Sequence, residues 1–251
     1  MRYPKFFTTA FAIVLTLSVS VTDGSADAQK MNGLSKTDVE TIVRDYLIAN
    51  PELIREAIQA LQAKQEAAEN ARTKAAMAAH GDALRAHPIT PVSGNASGDV
   101  TVVEFFDYQC GYCKRSLASI IGLLKSDKNV RVVWKELPIL GPASRFAARA
   151  AMAAKKQKKY FQFHVALMGA RGRLTEQNVM DVAKDVGLDV ARLRGDMKDP
   201  RIEAYLDETQ QLATALGIRG TPAFVIGDTV VRGAIDEADM KQIIAQMRAG
   251  G

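Results

Sequence analysis

Cysteine is scarce in this chain of 251 residues: Cys110 and Cys113 are the only two. Two cysteines build no disulfide framework, and a bridge across so few residues removes little chain entropy, which makes a poor structural staple. Three histidines, His80, His87 and His164, lie far from the cysteines in sequence without ligand spacing, so a zinc site of Cys/His type lacks its donors. Charge of one sign is also lacking. The formal net charge is +5, and the lysines and arginines are scattered rather than interleaved with aromatics, which leaves no nucleic-acid footprint. Lys155, Lys156, Lys158 and Lys159 form the densest basic run and read as a solvated helix face. Beyond the first residues no apolar run is long enough to cross a bilayer. What remains, 47% hydrophobic and 24% charged, suits a globular protein of one or two domains with a sizeable core.

The N-terminus reads as a cleavable signal peptide over residues 1–28. Arg2 and Lys5 supply the positive start, Phe6 to Val21 the apolar stretch, and Ala26-Asp27-Ala28 the small-residue cleavage site. Export to an oxidising compartment follows from it. Residues 29–80 then read as a helical stalk. Val39, Ile42, Val43, Tyr46 and Leu47 share one helix face, and Asn50-Pro51 starts a second helix rich in Ala, Glu, Gln and Lys. Continuous to His80, that helix would be about 45 Å long. It is apolar mainly at its start, so it needs a partner to pack on. Self-association through 34–62 is the expectation, with packing on the following domain as its rival. Pro88, Pro91, Gly94, Asn95 and Gly98 mark 81–98 as a turn-rich linker.

Residues 99–251 carry the chemistry. The apolar run Val100-Thr101-Val102-Val103 reads as a buried strand, and Leu117, Ile120, Ile121 and Leu124 as one face of a helix. Both cysteines fall at the junction, with Cys110 at the mouth of the helix. Unpaired backbone N–H groups and the positive end of the helix dipole favour a thiolate there. Cys113, one turn on, is placed to attack a mixed disulfide formed on Cys110. Thiol–disulfide exchange is the expected activity. A strand at 130–135 follows, then a helical block, two short strands at 223–226 and 229–232, and a last helix from Asp236. Asp107 is expected to be exposed and without a role, His164 and Trp134 to belong to the core.

Three motifs occur in order: E-F-F-D-Y-Q-C-G-Y-C (104–113), W-K-E-L-P-I-L-G-P-A-S (134–144) and L-G-I-R-G-T-P-A-F-V-I-G (216–227). Together they resemble the DsbA family of thiol–disulfide oxidoreductases. The resemblance implies an α/β thioredoxin fold with an inserted helical domain at about 141–217, here preceded by the helical stalk. It implies that Thr221-Pro222 forms a loop with a cis proline beside the cysteines, whose backbone edge pairs with a substrate chain. It also implies that Glu104 is buried beneath the pair and relays a proton to Cys113.

Gly111-Tyr112 between the cysteines, with Thr221 before the proline, is similar to the disulfide-isomerase branch rather than the strongly oxidising one. Stalk, domain and C-G-Y-C together most resemble the suppressor-of-copper-sensitivity C proteins, some of which are trimers. The implied protein is a periplasmic disulfide isomerase or reductase acting on unfolded or misoxidised exported proteins. It would be a homo-oligomer, kept reduced by a membrane thiol reductase, with no cofactor beyond the Cys110–Cys113 pair. The rival readings are a DsbA-like oxidase run from a membrane oxidase and a copper-tolerance protein binding Cu(I) at Cys110 and Cys113.

Overall fold

The computed structural model of the chain describes residues 33–250, so the expected signal peptide and its cleavage site lie outside the described residues. The chain divides into one unit ending at Gln59 and a second beginning at Ala60. In the first, Ser35 starts α1 (Lys36–Ala49) with a reciprocal cap. Its Oγ accepts the Asp38 N–H at 3.2 Å, and the Asp38 carboxylate accepts the Ser35 N–H at 2.9 Å. Asn50-Pro51 separates α1 from α2 (Glu52–Ala79). No residue of α1 is buried: Ile42, Val43 and Tyr46 are each more than half exposed, as is Leu61 in the second unit.

Farther along, α2 behaves differently. Thr73 and Met77 are buried, and Met77 packs in a cluster with Leu84, Leu212 and Leu216. The expected helical segment is present over 36–79, and the end of α2 joins a core. The expected linker over 81–98 is corrected. It holds α3 (Gly81–Arg85), where Leu84 is fully buried, and β1 (Val92–Gly94), which pairs antiparallel with the third strand. Its prolines and glycines fold the chain tightly across the domain, and a strand of three residues is too short to show an alternating pattern.

The sheet is built on two parallel central strands, β2 (Val100–Phe106) and β3 (Val130–Glu136), joined through α4 (Gly111–Ser126). Antiparallel to β2 runs β4 (Ala223–Ile226), and β5 (Thr229–Arg232) closes the order β1-β3-β2-β4-β5. Between β3 and β4 the chain makes α5 (Pro142–Ala154), a 3-10 turn, α6 (Tyr160–Gly169), α7 (Glu176–Asp185), α8 (Val190–Asp196) and α9 (Pro200–Ala215); α10 (Glu237–Ala249) ends it. Strands covered on both faces need continuous apolar runs, and β2 and β3 are buried at six of seven positions each. Side chains alternate between two cores. Val102, Phe106, Val132 and Trp134 pack with α4 and the inserted helices, whereas Val103, Phe105 and Val133 pack with Met77, Leu84 and α9.

Candidate active site

At the end of β2 the chain turns into α4 through Asp107-Tyr108-Gln109. Cys110 is the N-cap of α4, with extended backbone (φ −74°, ψ 114°), and its Sγ accepts the Cys113 N–H at 3.4 Å. The sulfur thus takes the place of a capping oxygen, where the first N–H groups of a helix hold negative charge. Cys110 is 7% exposed and Cys113 fully buried, and both are free thiols. Burial pushes the Cys113 thiol well up, with the Glu104 charge adding to it. Gly111 and Tyr112 face solvent at the helix start, and the Arg115 guanidinium sits 4.2 Å over the Tyr112 ring.

Thr221-Pro222, a cis peptide, lies against the outer cysteine: the Cys110 thiol donates to the Thr221 carbonyl at 3.2 Å. Glu104 is on the β2 face that carries Val102 and Phe106, between Trp134 of β3 and Phe224 of β4. It is 1% exposed, and its Oε1 has no hydrogen-bond partner among the described residues. Burial raises its carboxyl well above the usual range, and the Cys110 charge raises it further. The fold therefore brings Cys110, Cys113, Glu104, Thr221 and Pro222 together, with Gly111 and Tyr112 on the rim.

Asp107 corrects the expectation. It is 1% exposed and organises the turn: one carboxylate oxygen accepts from the Gln109 N–H (2.7 Å) and Ser144 Oγ (2.7 Å), the other from the Leu140 N–H (2.9 Å). Its carbonyl accepts the Cys110 N–H at 3.0 Å. Its burial has no local signal, because two of its three partners come from the loop after β3 and the start of α5.

A second buried network was not anticipated. Glu136 Oε1 accepts from the hydroxyls of Tyr108 (3.0 Å) and Tyr160 (2.8 Å). Tyr108 also meets His164 Nδ1 at 3.1 Å. The hydroxyl proton of Tyr108 goes to Glu136, so the network assigns the imidazole hydrogen to Nδ1 and leaves Nε2 bare among aromatic rings. Burial holds His164 neutral, with a pKa lowered to about 3. His164 and Trp134 are core residues, the latter donating its indole N–H to Ser93 Oγ at 2.9 Å. The available signal was the strand itself: Lys135 and Glu136 continue a run buried on both faces, where a charged side chain needs partners.

A capping thiol over a buried thiol, at the end of a central strand and against an X-Pro carbonyl, defines a thioredoxin-fold dithiol protein. The chain belongs to the DSBA-like thioredoxin domain family, whose model matches residues 101–245, and so to a family of thiol–disulfide oxidoreductases. A model of the copper resistance protein ScsC N-terminal domain matches residues 36–68. A thioredoxin-like oxidoreductase from Silicibacter pomeroyi is 47% identical, with a TM-score of 0.66 covering 67% of this chain and 97% of that one. Proteus mirabilis ScsC in a transitional conformation is 31% identical, with a TM-score of 0.65 over 86% of this chain and 97% of its own. The Na(+)/H(+) antiporter NhaA 1 of Salinispora arenicola is 29% identical over 169 residues, 65% of this chain; the chain spans about a quarter (26%) of that relative's length.

Proposed function

We propose that this protein is an exported, periplasmic disulfide isomerase and reductase acting on misoxidised proteins, kept reduced by a membrane thiol reductase. The observation that carries the chemistry is the Cys110 sulfur, held at a helix start and against the Thr221 carbonyl. The Cys110 thiolate attacks one sulfur of a client disulfide. A Cys110–client bond forms, the client S–S bond breaks, and the other client sulfur leaves as a thiolate. In isomerisation a client thiolate attacks the bonded client sulfur and regenerates Cys110. In reduction Cys113 attacks Cys110 instead, the second client thiolate leaves, and two electrons have passed to the client as Cys110–Cys113 becomes a disulfide. Cys113 is a poor nucleophile while protonated, and burial keeps it so. Glu104, buried with a raised pKa, is suited to take that proton. The two sulfurs carry the electrons without metal or organic cofactor.

The isomerase direction rests on the N-terminal segment. Residues such as Ile42, Val43, Tyr46 and Ile54 stay exposed in a single chain, and a self-associated form, such as a trimer, covers them. The match to the ScsC N-terminal domain supports the same reading.

Cys110→Ala abolishes insulin reduction, while Cys113→Ala accumulates mixed disulfides with clients; undiminished turnover by both variants refutes the assignment. Recovery of scrambled ribonuclease marks an isomerase, and failure to recover it with rapid oxidation of reduced ribonuclease marks an oxidase. The match to the N-terminal domain of a copper resistance protein and the two free thiols support one other reading, Cu(I) binding at Cys110 and Cys113. Tight Cu(I) binding against a competing chelator, with no disulfide turnover, selects it.

A further inference from the structure

The cis-proline loop does not end in open surface. Beside it lies a hollow of about 360 Å³ lined by Glu69, Gly217, Arg219, Thr221, Pro222 and Arg232. A second, of about 420 Å³, adjoins it through Glu69, Gly217 and Arg219 and extends along α2 to Arg72. A water occupies roughly 30 Å³ of liquid, so either hollow has room for a side chain.

The charges lining them do not balance. Arg72, Arg219 and Arg232 line the two hollows with one carboxylate, Glu69, and Arg232 Nη2 already holds it at 2.9 Å. Gly217, with φ +68°, makes room for that pair, since a Cβ there would stand 3.2 Å from Arg232 Nη2. Among the described residues Arg72 and Arg219 have no carboxylate within salt-bridge distance. The other flank of the dithiol differs: a hollow at Arg115 and Ser116 also holds Asp236 and Asp239, so its signs are mixed.

We infer that the cleft formed by α2 and the Arg219–Pro222 loop is a client subsite that selects an acidic side chain close to the reacting cysteine. The inference rests on the exchange reading above, in which a client chain lies against Thr221-Pro222. An extended chain advances about 3.4 Å per residue, so side chains a few positions from the client cysteine pass over Arg219. An aspartate or glutamate there meets two unpaired guanidinium groups, and a lysine meets the same charges with the opposite sign. Solvent-exposed pairs of this kind contribute about 0.2–1 kcal/mol, which is roughly a 1.4- to fivefold preference, and salt weakens it.

The test uses the reduced full-length protein and three cysteine peptides, each a mixed disulfide with a neutral thiol. They differ only in carrying Asp, Ala or Lys on both sides of the cysteine. The reduction rates should fall in the order Asp, Ala, Lys at low ionic strength and converge at high salt. Arg219→Gln should shrink the Asp-to-Lys ratio, while Glu69→Gln, which removes the one anion, should widen it. Using the ratio cancels any general loss of activity in a variant. Equal rates for the three peptides in the unmodified protein overturn the subsite alone, as does a ratio that neither substitution moves. Failure to reduce even the Ala peptide overturns the exchange reading, and the subsite with it.

Discussion

Glu104 on β2 and Glu136 on β3 point to the same face of the sheet, and each is 1% exposed. Burial raises both carboxyls well above their usual range. Their surroundings then diverge. Glu136 receives two tyrosine hydroxyls, which draw its pKa back down, whereas Glu104 Oε1 receives nothing and feels the Cys110 charge instead. A buried acid saturated with donors fastens strands and helices to one another. A bare one costs stability and stays free to exchange a proton with its neighbours. Of these two acids, the bare one is the one beside the dithiol.

The contrast breaks most sharply at Glu136. Glu136→Leu strands the hydroxyls of Tyr108 and Tyr160 and should cost about 3 kcal/mol or more in urea unfolding, while Glu136→Gln keeps an acceptor and should cost under about 1 kcal/mol. Equal losses would show that the tyrosine bonds are not what holds this region. Lys135 gives the comparison from the opposite face of the sheet. Its Nζ donates to the Ala83 carbonyl (2.6 Å) and Thr90 Oγ1 (2.9 Å), and burial lowers its pKa to about 8. The folded state binds fewer protons than the unfolded one from about pH 8 to the ordinary lysine range, so stability rises with pH across that window. Lys135→Met should remove a rise on the order of 3 kcal/mol, read as the difference between the two stability–pH curves. At Glu104 the sign reverses. Its raised folded pKa contributes stability fully present below the ordinary carboxylate range and lost as pH rises toward the folded value. Glu104→Met escapes that loss, so it should gain about 1 kcal/mol, more at pH 9 than at pH 5, while slowing release of mixed disulfides by Cys113. A destabilised variant at both pH values would place Glu104 with Glu136.

The part of this arrangement legible in the sequence is the part made from neighbouring residues. Both β2 and α4 announce themselves by apolar runs and helical spacing, and Phe105 to Cys113 sets the thiols at their junction without distant help. The place of Thr221-Pro222 came from family resemblance, because the approach of two segments far apart in sequence has no local signal. The burial of Asp107 is hidden for the same reason: its donors Leu140 and Ser144 arrive from the far side of β3. Prolines between 88 and 98 suggested a free linker, although β1 needs only three residues to pair with β3. Glu136 and Lys135 were visible as charges ending a buried strand, but their partners on α3, α6 and the active-site turn were not.

The smallest effect on the fold belongs to the exposed rim. Tyr112 is 61% exposed and touches Arg115 at the helix start, so replacing it should change stability by less than about 0.5 kcal/mol. Tyr112→His nevertheless places an imidazole close to the capping sulfur. Protonated, it favours the reduced thiolate, and a stabilised reduced state raises the reduction potential. Stabilisation by about 1 kcal/mol corresponds to roughly 20 mV, measurable by equilibration with glutathione. The shift should fade above about pH 7.5, as the imidazole loses its proton. A potential that does not move while the fold is intact would mean that the rim leaves the dithiol untouched, and that its redox poise is set from beneath, by Glu104 and the helix start alone.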